Sequence, residues 1–300
     1  MYDHPMHIWR ASYRVRWKRY SSIACHAMRS PNQSIMKKVS CVMTTFRRFS
    51  CVERSIAFFL SQDYKGESEL IIFNTDTEYP LSLSQELSLE KIVIINNNTD
   101  YISGENYSNI GSIRRDALSH ASGEYYICWD DDDIFLPWNI RQCVDGIERN
   151  PEMWAWKPKR SMFWQQNKKP ELAENVMEAS VISLTEKIKE IGFLPHLGGG
   201  EHLSWVFKLK DEKKIIVDEN SIPGYCFNWH DQGVMRGHKQ SGTINREDNF
   251  SFHKENTKDF AKKKLRAFPK KELTEIYNAH IEVIKRECSD KKEILQLYIK

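Results

Sequence analysis

The sequence predicts an α/β protein: a doubly wound, mostly parallel sheet, followed by a smaller antiparallel part and C-terminal helices. Three observations carry this expectation. Between about residues 38 and 158, short apolar runs of strand character alternate with segments of helical period. After residue 158 the alternation loosens into stretches rich in Trp, Phe and Met. Residues 256–300 are Lys-rich and carry an apolar stripe at helical spacing. Strand–helix alternation implies a parallel sheet, because each parallel neighbour needs a crossover connection.

In order, Lys38–Phe46 is the first expected strand, and Cys51–Gln62 a helix with Val52, Ile56, Phe59 and Leu60 on one face. Glu69–Phe73 and Lys91–Ile95 are strands, Ile110–Ser122 a helix, and Glu124–Trp129 a strand. Leu136–Ile147 is a helix that opens at Pro137, a residue suited to a first turn. Met153–Lys157 is a strand, while Arg160–Gln166 and Val176–Leu184 are expected to be antiparallel. Glu201–Lys210 follows three glycines as a short helix, and Lys214–Val217 and Gly224–Trp229 are late strands. Leu273, Ile276, Tyr277, His280, Ile281 and Ile284 form the stripe of the last helix, which is expected to pack on the body.

A chain of 300 residues has ample material for a core, and no stretch approaches the roughly 20 apolar residues of a spanning helix. The net charge of +3 is unevenly distributed: residues 1–38 carry +7 and residues 248–300 carry +4, which leaves −8 for residues 39–247. An acidic body with basic ends lacks the broad phosphate track of a nucleic-acid-wrapping protein, but its ends permit peripheral contact with an anionic membrane. We divide the chain into a basic N-terminal extension (1–35), disordered or a targeting arm, a main domain (36–247) and a C-terminal helical appendage (248–300). The seven cysteines are odd in number, scattered and without a C-x-x-C pair, which argues for free thiols in a cytoplasmic, reducing compartment.

Asp130 to Asp133 are consecutive and follow the apolar run Tyr125-Tyr-Ile-Cys-Trp129. Carboxylates gathered at a strand end repel one another unless a cation sits among them, and hard oxygen ligands suit Mg²⁺ or Mn²⁺. The flanking Ile134-Phe-Leu-Pro-Trp138 is too apolar for a solvated loop tip. In an open α/β sheet this edge is also where ligands bind.

The order of motifs resembles the inverting glycosyltransferases of family 2, which have the GT-A fold. Val39–Arg48 looks like the family's first strand and its Pro-Thr-Tyr-Asn-Arg loop, here Thr44-Thr-Phe-Arg-Arg48. Leu60-Ser-Gln-Asp-Tyr64 is similar to its S-x-L-x-Q-x-Y stretch, and Glu69–Phe73 to its second strand. Asn109–Leu118 followed by Ala121-Ser-Gly-Glu-Tyr125 is similar to its next helix and turn, and Asp130–Asp133 fall in the place of D-x-D-D. The resemblance covers residues 37–140 closely and 195–245 loosely.

It implies a metal-dependent transfer from a nucleotide sugar, with a UDP-sugar expected, to a hydroxyl acceptor. Thr44, Phe46, Arg48, Asn74, Asp76, Arg114, Asp130 and Asp131 would bind the donor. Asp130, Asp132 and a late histidine, His238 in preference to His230, would hold Mn²⁺ or Mg²⁺. Asp133 and Trp164 would meet the acceptor, although Trp154, Trp156, Phe163 and Trp164 suit core packing equally. Two departures matter. Asn74-Thr75 stand where the family has Asp-Asp, although an amide still reads a uracil edge. In the family's G-E-D motif the Asp is His202, so Glu201 becomes the chosen base and His202 the second.

The acceptor implied is a surface glycan or glycolipid intermediate. A phage-type enzyme acting on hydroxymethylated DNA bases is an alternative, as is a carbohydrate- or nucleic-acid-binding module without catalysis. Sugar nucleotidyltransferases share a related sheet but need a Gly-rich phosphate loop, and Thr44–Arg48 contains no glycine.

Overall fold

The computed structural model describes residues 36–87, 90–165, 168–174, 178–194, 200–229, 264–266 and 268–299. The expected extension over 1–35 and the candidate ligands His230 and His238 lie outside them. Met36–Lys300 forms one compact unit. Its centre is β1 (Val39–Thr45), which pairs in parallel with β2 (Ser68–Asn74) on one side and β4 (Tyr125–Cys128) on the other. Beyond β2 lies β3 (Ile92–Asn96), also parallel. On the far side β4 pairs antiparallel with β9 (Ile182–Leu184), β9 antiparallel with β6 (Ala155–Pro158), and β6 parallel with β10 (Ile215–Asp218). The order β10-β6-β9-β4-β1-β2-β3 therefore reverses direction at β1 and β4, and a crevice opens at such a switch point.

The helices follow from their apolar faces. α1 (Phe49–Leu60) buries Val52, Ile56 and Phe59. α2 (Ile110–Ser119) starts at Asn109, whose side chain accepts the Ser112 N–H at 2.8 Å and so caps an orphan donor. α3 (Asn139–Glu148) starts later than expected, with Trp138 at the N-cap position and Pro137 outside the helix. A Cβ on Gly146 would sit 2.2 Å from the Trp156 ring, so only glycine lets α3 meet β6 this closely. α6 (Lys270–Glu287) and α7 (Lys292–Tyr298) close the described chain. His280, Val283 and Ile284 of α6 are buried, and the ring of Tyr277 lies 5.8 Å from Phe58 of α1. The C-terminal stripe is thus covered by the body, as expected, and is not presented to a membrane.

The second sheet has the order β5-β11-β7-β8, built from β5 (Ile134–Phe135), β7 (Ser161–Gln165), β8 (Glu171–Ala173) and β11 (Tyr225–Trp229). It is mixed where the sequence implied antiparallel pairing, because β11 runs parallel to β7. The expected strand Val176–Leu184 shrinks to β9 and joins the main sheet instead. The sequence also missed β5, β8 and α4 (Thr185–Ile191). All three are short, and too few turns or alternations fit in them to give a period. Among the described residues no helix is long and apolar enough to cross a membrane.

Candidate active site

The ends of β1, β2 and β4 meet at the switch point, and the polar residues gather there. After β1 the chain turns through Arg47, which has φ +52, a conformation unusual for a side chain bearing a Cβ. The turn directs the guanidinium against the rings of Phe46 (5.4 Å) and Tyr79 (5.0 Å), and it pairs with Asp76 at 2.6 Å and with Glu78. A narrow cleft opens here, lined by Thr45, Arg47, Arg48, Asn74, Tyr79 and Leu81. Arg47 and Tyr79 were missed by the sequence analysis. Only the fold brings Arg47 beside Asp76 and Tyr79.

Asn74 and Asp76 border this cleft but are occupied by the loop they shape. The Asn74 amide donates to Asp76 O (2.9 Å) and Asn96 Oδ1 (2.8 Å), and its Oδ1 accepts the Asp76 N–H (3.1 Å). Asp76 Oδ1 accepts the backbone N–H groups of Glu78 and Tyr79 at 3.1 and 3.3 Å. The Asn74 side chain is therefore committed within the protein, against the expectation that it reads a base edge.

The four aspartates alternate. Asp130 and Asp132 keep 26% and 17% of their side-chain surface, whereas Asp131 keeps 2% and Asp133 is 1% exposed. Asp131 accepts from the Thr45 hydroxyl and from Arg48 Nη1, each at 2.6 Å. Burial nevertheless pushes its carboxyl up to about 6, because Arg48 offsets only part of the desolvation and Asp132 adds to it. Asp133 accepts from the Tyr225 hydroxyl at 2.5 Å and from the Asn228 N–H at 2.9 Å. Burial, with Asp132 and Asp130 nearby, pushes its carboxyl well above the usual range. Asp131 and Asp133 are thus internal struts: the first ties the motif to β1, the second to β11. The expected donor contact of Asp131 and acceptor contact of Asp133 do not fit this burial.

Trp129 supports the motif from below, stacked on Phe135 with ring centroids 3.6 Å apart. Trp164, expected to meet the acceptor, donates its indole N–H to Lys168 O at 2.7 Å, and its ring lies 5.9 Å from that of His280 on α6. These contacts give it a packing role. Thr44 is half-buried at the end of β1, beside the cleft.

Three arginines hold the accessible pair. Arg48 Nη2 contacts Asp132 Oδ2 at 2.6 Å, and Arg54 Nη2 adds a bond to the Asp132 carbonyl at 2.9 Å. Arg114, buried on α2, donates to Asp130 Oδ1 (2.9 Å) and Cys128 Sγ (2.6 Å), and its Nε lies 2.6 Å from Glu201 Oε1. Glu201 is 4% exposed. It precedes α5 (Leu203–Asp211), whose approach is set by Gly200 at φ +76. His202 occupies the N-cap position, half-buried, with its ring 6.4 Å from Trp205. Arg114 therefore joins the motif at the end of β4 to the start of α5, two places 71 residues apart in sequence.

Residues 40–204 match the profile described as Glycosyl transferase family 2. The chain belongs to that family. Its fold agrees with that of S. aureus TarS 1-349 in complex with UDP-GlcNAc, at a TM-score of 0.51 and 16% identity, covering 83% of this chain and 81% of that one. TarS 1-349 in complex with UDP aligns over 65% of this chain and 61% of its own, with a TM-score of 0.48 and 16% identity. The mannosyltransferase PcManGT from Pyrobaculum calidifontis, in complex with GDP-Man and Mn2+, aligns with a TM-score of 0.48 and 13% identity over 68% and 61%. In these last two alignments this chain spans less than two thirds of the other's length. No curated protein matches the sequence.

As a family 2 glycosyltransferase the chain has the GT-A arrangement expected of it. Among the described residues no three His, Cys, Asp or Glu side chains gather into a metal cage. Two accessible carboxylates suit a different mode, because Mg²⁺ is commonly held by one or two carboxylates together with substrate phosphates. Asp130 and Asp132 fit that mode and their buried neighbours do not.

Proposed function

We propose that this protein transfers a sugar from a nucleotide sugar to a hydroxyl acceptor with inversion, using a divalent ion held by Asp130 and Asp132. The observation that carries the reading is the continuous ion-paired chain from Asp130 through Arg114 to Glu201, beside the accessible Asp132. It brings two accessible carboxylates and the start of α5 together, which supports the reading. A UDP-sugar is the first donor to try, since TarS, which shares the fold, is bound to UDP and to UDP-GlcNAc.

In this mechanism the nucleotide lies along the cleft between the ends of β1 and β2, against Tyr79 and Arg47. Bound Mn²⁺ or Mg²⁺ would act as a Lewis acid for the departing diphosphate. The acceptor approaches from the α5 side, and a base there removes its hydroxyl proton as the anomeric carbon is attacked from the opposite face. We infer that His202 is this base. Glu201 is buried and held by Arg114, so it serves as a positioning residue, whereas the half-buried His202 has an imidazole suited to accepting a proton near neutrality. The acceptor is inferred to be a glycan or glycolipid. The free thiols among the described residues accord with a cytoplasmic, reducing setting.

The test is nucleoside diphosphate release from UDP-, GDP-, TDP- and ADP-sugars with Mn²⁺ or Mg²⁺, with and without EDTA. Glycan, glycolipid and hydroxymethylated-DNA acceptors are supplied in separate arms. EDTA-sensitive release from one donor, stimulated by one acceptor class, is the expected result. Release that ignores EDTA would overturn the metal assignment, and no binding or release of any donor would overturn the enzyme reading.

A further inference from the structure

Two of the arginines at the site are anchored differently. Arg114 has three points of attachment, Asp130, Cys128 and Glu201, and belongs to the frame. Arg48 lies just before α1 and places both terminal nitrogens on the motif itself, Nη1 on Asp131 Oδ1 and Nη2 on Asp132 Oδ2, each at 2.6 Å. Of these two contacts, the second is with an accessible carboxylate. Asp131 also keeps the Thr45 hydroxyl, so it stays hydrogen-bonded whether or not the guanidinium shifts.

Electrostatics then constrains the order of events. A divalent ion arriving alone at Asp132 would meet a guanidinium already on Oδ2, and two cations would compete for one carboxylate. A nucleotide arriving alone would bring a diphosphate against the carboxylates of Asp130 and Asp132. Arriving together, the ion and the diphosphate nearly cancel in charge. The ion can then take Asp132 while the released Nη2 turns to the phosphate oxygens, a partner suited to its planar fork.

We propose that Arg48 is the resident counter-cation of the site, holding Asp132 while the donor is absent and yielding it only to a divalent ion that enters with the nucleoside diphosphate. This rests on the reading that Asp132 is a metal ligand. Its consequence is strong synergy: the ion binds weakly alone and tightly with nucleotide, and Arg48 is the residue that separates the two affinities.

The experiment is Mn²⁺ binding, followed by the electron paramagnetic resonance signal of free Mn²⁺, with and without UDP or GDP. It compares wild type, Arg48→Gln, Arg48→Lys and Asp132→Asn, with circular dichroism to verify folding. In wild type, one nucleotide should tighten Mn²⁺ binding at least tenfold. Arg48→Gln should bind Mn²⁺ alone about tenfold tighter than wild type, equivalent to about 1.4 kcal/mol, and lose most of the synergy. Arg48→Lys, a single-point cation, should fall between. Mn²⁺ binding that Asp132→Asn abolishes, yet that is equal with and without nucleotide, overturns the counter-cation role alone and needs no Arg48 variant. A folded Arg48→Gln that binds Mn²⁺ no tighter than wild type overturns it as well. Mn²⁺ binding that Asp132→Asn leaves intact, or none under any condition, overturns the metal site and the inference with it.

Discussion

The ends of β2 and β4 lie on either side of β1, and both are polar, yet they are built in opposite ways. At the end of β2, most bonds of Asn74 and Asp76 are to backbone groups within five residues of Asn74, and Asn96 and Arg47 add one distant side chain to each. At the end of β4, the partners of the aspartates are side chains from distant segments: Thr45, Arg48, Arg114 and Tyr225. A side chain saturated by local backbone is scaffold, because freeing it unravels the loop. A carboxylate held by a long, flexible cation can exchange that cation for a ligand. The difference assigns construction to the end of β2 and chemistry to the end of β4.

Substitutions at the two ends should therefore separate stability from turnover. Asp132→Asn removes the proposed metal ligand, and losing about 4 kcal/mol of Lewis-acid stabilisation corresponds to about 10³-fold in rate. The far-ultraviolet spectrum and melting temperature should change little. Asn74→Ala should do the reverse, lowering stability by about 1–3 kcal/mol through orphaned buried groups while sparing most of the chemical step. Chemical denaturation beside single-turnover kinetics measures both. Equal losses of turnover in the two variants would break the comparison.

The start of α5 sharpens it next. His202→Ala should lower turnover by about 10²- to 10⁴-fold, the usual contribution of a general base. His202→Asp should retain activity but move the acidic limb of the pH–rate profile down, since a carboxylate is the weaker base of the two. A profile that does not move would assign the base to another residue.

Within the aspartate run, Asp133→Ala should cost about 1–3 kcal/mol for each donor left without its acceptor, the Tyr225 hydroxyl and the Asn228 N–H. Asp133→Asn keeps an acceptor and removes a buried charge, so it should be close to neutral. Comparing the two by urea denaturation distinguishes a strut from a surface charge. A separate effect concerns pH. The carboxyl of Asp131 is at about 6 in the folded protein against an ordinary 3.8, so the folded state takes up a proton over that interval. The stabilising contribution of this group is complete below about pH 4 and lost as the pH rises to about 6. Melting temperatures of Asp131→Asn should lack this fall relative to wild type.

Much of the fold was legible because burial leaves a local record. β1, β2, β4 and α1 appear in the sequence as runs and stripes close to their true bounds, since each buries a face in one core. Which aspartates would be exposed was not within reach. The alternation of Asp130 and Asp132 with the buried Asp131 and Asp133 arises in the turn after β4, where distant partners decide which carboxylate is covered. The short elements β5, β8 and α4 were missed because a few residues cannot display a period. Trp164 could not be assigned from its neighbours, since what it meets lies on α6.

The sequence by itself determined the sheet-forming core, the order of motifs that places the chain in glycosyltransferase family 2, and a run of carboxylates at a strand end. Each depends on spacing within one segment, which the chain carries whether folded or not. Only the tertiary structure decided that Arg114 joins Asp130 to Glu201, that Arg48 bridges Asp131 and Asp132, and that Asn74 is committed to its own loop. The ion pairs connect residues on different elements, from 16 positions apart upward. The Asn74 bonds depend on how one loop closes and on Asn96 beside it. Hydrophobic pattern fixes which faces turn inward, but the partners that polar groups find there are set by the packing of whole elements.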